Sequence, residues 1–199
     1  EYVPDEDGFF RNWLLTSAFQ VSGISTTGCL PLDLLDDATS VNPSLTQTTL
    51  DYNEDPVQWS LYNGTTSKID FNTIPPLEYV AAPREVYAGI WVYSPNSRSV
   101  NAMFGPDDGG KVWVNGVLIG ENENCHGTTV DRYSYPTSLN AGWNRLLVQV
   151  RDGGGGWGMY FRFAENGVPI TDLQLSPVST GVFVDYQTDS DGDGIGDQC

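Results

Sequence analysis

Basic residues are scarce in this 199-residue chain: nine Lys and Arg stand against 26 Asp and Glu, leaving a formal charge of −17, and only Lys68 and Lys111 are lysines. Nucleic acids and anionic membranes are recognised by clustered Lys and Arg, so neither is an expected partner. Long apolar runs are missing as well. The longest, Lys111–Ile119 and Arg145–Val150, are interrupted and far below the ~20 residues that span a bilayer, so no membrane insertion is expected. Glu1 opens the chain without an initiator Met or a basic leader, and the sequence reads as processed. Histidine occurs once, at His126, which rules out a His-x-x-x-His metal site and any mechanism that needs two imidazoles. There is no Gly-x-Ser-x-Gly elbow, and the 26 acids nominate no glycosidase pair, so the chain is not expected to be an enzyme.

Cysteine is sparse too. Cys29, Cys125 and Cys199 share no Cys-x-x-Cys spacing, which argues against zinc. The simplest account is a Cys29–Cys125 disulfide with Cys199 left to pair with another chain; the alternative is a pair of buried thiols. Glycine, proline and aromatics are plentiful instead, with 22 Gly, 12 Pro, six Trp, ten Tyr and eight Phe. That profile belongs to all-β secreted proteins rather than helical bundles. Strands are predicted at Asn12–Val21, Val57–Tyr62, Lys68–Phe71, Val86–Tyr93, Arg98–Phe104, Lys111–Ile119, Thr129–Ser134, Trp143–Arg151, Trp157–Ala164 and Gly181–Val184. Asn115-Gly116 suits a type I′ hairpin turn, with Asn63-Gly64 and Asn166-Gly167 as weaker examples. One helical turn is predicted at Pro31–Asp37, inside a long polar excursion over residues 31–58. Gly153–Gly156 lacks the following helix and Lys-Ser/Thr of a phosphate loop, and reads as a hairpin loop. Asn63-Gly64-Thr65 fits an N-glycosylation triplet, which implies a surface position.

The last eleven residues place carboxylates of Asp189, Asp191, Asp193 and Asp197 at positions one, three, five and nine of a calcium loop, with Gly194 at six and the Ile195 carbonyl at seven. Hard Ca²⁺ takes six to eight oxygens, which alternating aspartates supply. The competing reading is a solvated acidic tail. Asp189–Cys199 resembles one thrombospondin type 3 repeat, and more loosely a dockerin half-site or an EF-hand loop. The bidentate ligand at position twelve would be residue 200. An acidic N-terminal arm, residues 1–11, carries Asp5, Glu6 and Asp7, which are expected as ligands in trans; such sharing would join copies head to tail into a filament.

In the centre, Asp107-Asp108-Gly109-Gly110-Lys111-Val112-Trp113-Val114-Asn115-Gly116, together with Leu139–Val150, resembles the galactose-binding-like sandwiches of secreted glycosidases and PA14-type lectin domains, over roughly residues 12–163. In calcium-dependent PA14-type adhesins an Asp-Asp pair holds a calcium that chelates sugar hydroxyls, which the resemblance implies for Asp107 and Asp108. The same pair also suits a plain turn before a strand. Trp59, Tyr62, Tyr133, Tyr135 and Trp157 flank predicted loops and are candidates for a flat sugar platform, whereas Trp113 and Trp143 are assigned to structure.

The expectation is therefore an all-β, jelly-roll-type antiparallel β-sandwich over residues 1–184, followed by a C-terminal calcium-binding loop over residues 185–199. The protein is read as extracellular, with calcium as its cofactor. Its expected function is that of a non-catalytic structural subunit that self-assembles; the alternative is a carbohydrate-binding module of a larger secreted enzyme.

Overall fold

The computed structural model describes residues 2–21, 28–46 and 48–178; the predicted strand Gly181–Val184 and the calcium loop Asp189–Cys199, with Asp191, Asp193, Ile195 and Asp197, lie outside the described residues. The chain runs through β1 (Asn12–Thr16), β2 (Phe19–Gln20), β3 (Thr49–Leu50), β4 (Pro56–Val57), β5 (Trp59–Asn63), β6 (Ile69–Asp70) and β7 (Arg84–Ser94). It continues through β8 (Arg98–Asp107), β9 (Gly109–Val114), β10 (Val117–Asn122), β11 (Tyr133–Leu139), β12 (Gly142–Asp152), β13 (Gly158–Glu165), β14 (Val168–Pro169) and β15 (Gln174–Ser176). One sheet has the order β10-β9-β12-β7-β1-β5, with β2 and β15 also pairing with β7; the other has the order β11-β8-β13-β14, with β6 also on β13. All these pairings are antiparallel, as an all-β sandwich requires.

Alternation along the long strands builds two cores. Val86, Ala88, Ile90 and Val92 of β7, with Val148 and Val150 of β12, meet Phe104, Phe161 and Phe163 from the facing sheet, and Phe10 and Trp13 close the same cluster. Each such burial contributes about 1.5–3 kcal/mol relative to exposure. The opposite face of the first sheet is covered too. Tyr87, Trp113 and Leu147 pack beneath Leu34, Leu35 and Val41 of the long excursion, with Trp59 in the same cluster. The excursion is thus a lid of protein rather than a free loop. Its start is tied by the Cys29–Cys125 disulfide, which links positions 96 apart.

Several boundaries differ from expectation for identifiable reasons. The predicted Asn12–Val21 strand breaks at Ser17-Ala18 into β1 and β2, which both pair with β7. No helical turn forms at Pro31–Asp37, because the leucines are drawn onto the sheet: Leu32 N donates to the Glu85 carboxylate at 3.1 Å and Leu34 N to the Tyr87 hydroxyl at 3.2 Å. Asp70 ends its strand by accepting from Asn72 N and capping a short 3₁₀ turn, Phe71–Thr73. Asn115 and Gly116 have φ of 51° and 83°, and join β9 to β10 as the hairpin predicts. Asn166-Gly167 does the same for β13 and β14. Asn63-Gly64 is no hairpin; Gly64 N instead donates to Arg11 O at 2.9 Å. Asn63 is exposed, as its triplet implies.

Under the lid lies a buried charge network that the alternation pattern alone did not reveal. Glu85, fully buried, accepts from Arg151 Nη1 at 3.0 Å and from Gln149 Nε2 at 2.6 Å, while at its edge the buried Lys111 reaches out through Nζ to the exposed Asp33 at 2.6 Å. Burial pushes the Glu85 carboxyl up to about 7, against the pull of Leu32 N and the Arg151 charge. An acid whose folded value is raised contributes stability that is fully present below its unfolded value and is lost as pH rises through about 7. We therefore expect Tm to fall between pH 5 and pH 8, with a slope of at most about 1.4 kcal/mol per pH unit from this group. In Glu85→Gln that component should vanish; thermal melts across the window check it, and equal slopes in both proteins would refute it.

Candidate functional site

Two chain crossovers between the sheets lie side by side at one end of the sandwich. β8 ends at Asp107 in one sheet and β9 begins at Gly109 in the other, so Asp108 is the bridge; the Asp107–Asp108 peptide is cis. β12 ends at Asp152 and β13 begins at Gly158, so Gly153–Gly156 make the neighbouring crossover. The registers Asp107↔Gly158 and Gly109↔Arg151 set the two bridges against each other, and Asp108 N donates to Arg151 O at 2.6 Å.

The contacts between them are close. Gly153 N donates to Asp108 Oδ2 at 2.8 Å, and a Cβ on Gly156 would lie 2.4 Å from Asp107 Oδ2. Thr128 Oγ1 donates to Asp107 Oδ2 at 3.3 Å, which brings the strip after the disulfide to the same place. Cys29 is there as well, its Sγ 3.5 Å from the Cβ position of Gly153. Desolvation raises the Asp108 carboxyl above its usual range, and the Asp107 and Asp152 charges push the same way, opposed by the Gly153 amide. Asp152 is committed elsewhere, to Arg84 at 2.9 Å. Among the described residues no three His, Cys, Asp or Glu side chains group to hold a metal by themselves. The oxygens that a cation could meet at this end are the two carboxylates and the Thr128 hydroxyl, which are hard ligands rather than thiophilic ones.

The remaining candidates are scattered. Trp59 and Trp157, expected in a sugar platform, are core residues at 7% and 0% exposure; Trp59 Nε1 donates to Thr49 Oγ1 at 2.9 Å, and the Trp157 ring packs tilted against Phe71. Tyr133 and Tyr135 lie parallel, 6.1 Å apart, on the edge strand β11. They close the open side of the sandwich, with the Tyr135 ring against Gly120 of β10. Burial pushes the Tyr135 phenol up to about 12. Tyr62 is half-buried and faces a groove with Ile74, Pro75 and Leu77, away from the crossovers. Trp113 is buried as expected, and Trp143 packs edge-on to Tyr93. Asp5 is not a spare carboxylate: it accepts from Phe9 N, Arg11 and Ser67. These bonds hold its carboxyl below the usual range although desolvation opposes them. Glu6 and Asp7 are exposed. His126 is an exposed loop residue. The roles of Thr128, Asp152 and the four glycines escaped sequence reasoning; an Asp-Gly-Gly-Gly-Gly-Trp run between two long strands was the available signal.

No protein-family model and no curated protein matches the chain. Among solved structures it is similar to an anti-sigma factor domain-containing protein from Clostridium clariflavum, at 11% identity and TM-score 0.46, covering 80% of this chain and 44% of that one. It is similar to the PA14 domain of the MpAFP antifreeze protein, at 11% identity and TM-score 0.43, covering 88% and 95%. A PA14 sugar-binding domain from an RTX adhesin shows 13% identity and TM-score 0.45 over 83% and 96%. This chain thus spans less than half the length of the anti-sigma protein and nearly all of the two PA14 domains. At these identities and TM-scores the likeness assigns no family and no activity.

The close approach of Gly156 to Asp107 generates a test. The clashing atom is the end of a side chain, and Gly156 does not have a positive φ, so Gly156→Ala should fold and melt close to wild type while turning the Asp107 carboxylate aside. On the calcium reading proposed below, affinity at this end should fall by about tenfold, equivalent to 1.4 kcal/mol, in titration calorimetry. Unchanged affinity would mean that Asp107 is not a ligand.

Proposed function

We propose that this chain is a non-catalytic, extracellular glycan-binding module that holds a calcium ion at Asp107 and Asp108 and presents that ion to sugar hydroxyls. The observation that carries the reading is the carboxylate pair pressed against a crossover that opens with four glycines. Calcium takes six to eight oxygens, and two aspartates leave most of that shell to backbone carbonyls, water and ligand. Neighbouring hydroxyls of a sugar ring are neutral oxygens of suitable spacing, and a side-chain-free rim lets a bulky ring approach. The resemblance of Asp107–Gly116 to PA14-type lectins supports the same assignment. The Cys29–Cys125 disulfide supports an extracellular setting, because such bonds persist in oxidising compartments. When bound, the ion supplies charge and coordination sites; Asp107 and Asp108 hold it, and Thr128 and Gly153 orient the carboxylates.

A second reading, favoured by the regular spacing of Asp189, Asp191, Asp193 and Asp197, is calcium-dependent self-association through the C-terminal loop, with Glu6 and Asp7 of another copy as ligands. Asp5 contributes less to that reading, since its oxygens are taken within its own chain.

Two full-length variants separate the readings: Asp107→Asn/Asp108→Asn and Asp189→Asn/Asp191→Asn/Asp193→Asn. On a glycan array in millimolar calcium, retention should be lost in chelator and in the first variant, and kept in the second. Calcium at a hundredfold excess over Kd should raise stability by about 2.7 kcal/mol per site. Glycan retention that survives the first variant would overturn the proposal. Oligomers seen by light scattering that dissolve in chelator and in the second variant would establish self-association.

A further inference from the structure

The glycine crossover has no side chains with which to hold itself, yet both of its stems and its tip converge on one buried cation. Arg84, the first residue of β7, donates from Nε to Asp152 Oδ2 at 2.9 Å, and Asp152 Oδ1 in turn accepts from Gly154 N at 2.6 Å. Its Nη2 donates to Asn72 Oδ1, and Asn72 Nδ2 donates to Gly155 O at 3.3 Å. The guanidinium carbon lies 4.3 Å from the centroid of the Trp157 ring. The residues before and after the four glycines, and two of the glycines themselves, are thus tied to a single planar group. Its last nitrogen, Nη1, donates to the carbonyls of Val80 at 2.5 Å and Leu77 at 3.4 Å, anchoring it to a second 3₁₀ turn, Leu77–Tyr79, and the residue that caps it. The other side of the crossover meets Asp108 through Gly153 and Asp107 through Gly156.

We infer that Arg84 is the positioning residue of the glycan site, acting through Asp152, Asn72 and Trp157 to hold the four-glycine crossover against Asp107 and Asp108. The inference rests on the calcium reading of that pair. Glycine loses more conformational freedom on ordering than any other residue. A crossover held in advance spares the ligand that entropy; one left loose binds only from the fraction of molecules in which it is placed, and apparent affinity drops by that fraction. Only a planar fork makes these bonds and the ring stack together, so lysine is not an equivalent.

The test uses the full chain carrying Asp189→Asn/Asp191→Asn/Asp193→Asn, so that calcium alone, titrated by calorimetry, reports the crossover end. Two further changes are compared on that background. Asn72→Ala removes the tether to Gly155 and leaves the buried ion pair intact; Arg84→Lys keeps a positive charge beside Asp152 but loses the fork. We expect Asn72→Ala, which also takes an acceptor from Arg84 Nη2, to melt somewhat below its parent in chelator, to bind calcium about tenfold more weakly, and to exchange the Gly154–Gly156 amide hydrogens faster. Arg84→Lys should weaken calcium further. Parent-like calcium affinity in Asn72→Ala and in Arg84→Lys overturns the positioning role while leaving the calcium reading intact. A parent chain that binds no calcium overturns both.

Discussion

Register between β7 and β12 governs the rest of the molecule. Eleven successive pairs run from Ser94↔Gly142 to Arg84↔Asp152 without a shift. Because side chains alternate, that ladder sends Val86, Ala88, Val148 and Val150 toward the facing sheet and sends Glu85, Tyr87, Gln149 and Arg151 under the excursion. A slip of one residue would exchange these sets and drive Glu85 and Arg151 into the apolar core. Leaving either group buried without its partner costs about 3–5 kcal/mol, so the polar pair and the valines favour the same register. The last rung, Arg84↔Asp152, lies beneath the crossovers, and through it the ladder sets the geometry of the candidate site.

What the sequence made legible was local and periodic. The Asn115-Gly116 hairpin, the strand over residues 143–151 and the buried Trp113 follow from turn chemistry and alternation, which need no knowledge of distant residues. Failures came where a distant partner decided the outcome. Leu32, Leu34 and Leu35 lie among acidic residues as in a short helical turn, but Glu85 and Tyr87, some fifty positions away, claim two of their amides. Trp59 and Trp157 lie near loops in sequence, yet one sits under the excursion and the other between the sheets. Glu85 and Arg151 look like solvated positions of half-exposed strands until the excursion covers them.

The candidate site was half legible for the same reason. Asp107 and Asp108 stand out as neighbours, and their resemblance to lectin sites drew attention to them. Their partner, the glycine run, looks featureless because glycine's contribution is the absence of a Cβ, and absence matters only once the carboxylate 2.4 Å from that position is known. Arg84, Asn72 and Asp152 belong to three separate stretches of chain and meet only when the two crossovers are stacked.

Scarcity of positive charge gives this arrangement its direction. Most of the few basic residues serve as internal struts: Arg11 to Asp5, Arg84 to Asp152, Lys111 to Asp33, Arg151 to Glu85 and Arg162 to Asp131. Each strut neutralises one acid, and the excess of 17 negative charges is left without a counterpart in the chain. Self-repulsion of that size opposes compactness and repels anionic polymers while attracting cations. At the crossovers the repulsion is local, since desolvation and the neighbouring Asp107 and Asp152 charges already disfavour ionised Asp108. On the calcium reading, a divalent cation would relieve that penalty beside a glycine backbone, with Asp107 itself buried at the same end. On that reading, binding energy would come from the ion together with the preorganised backbone.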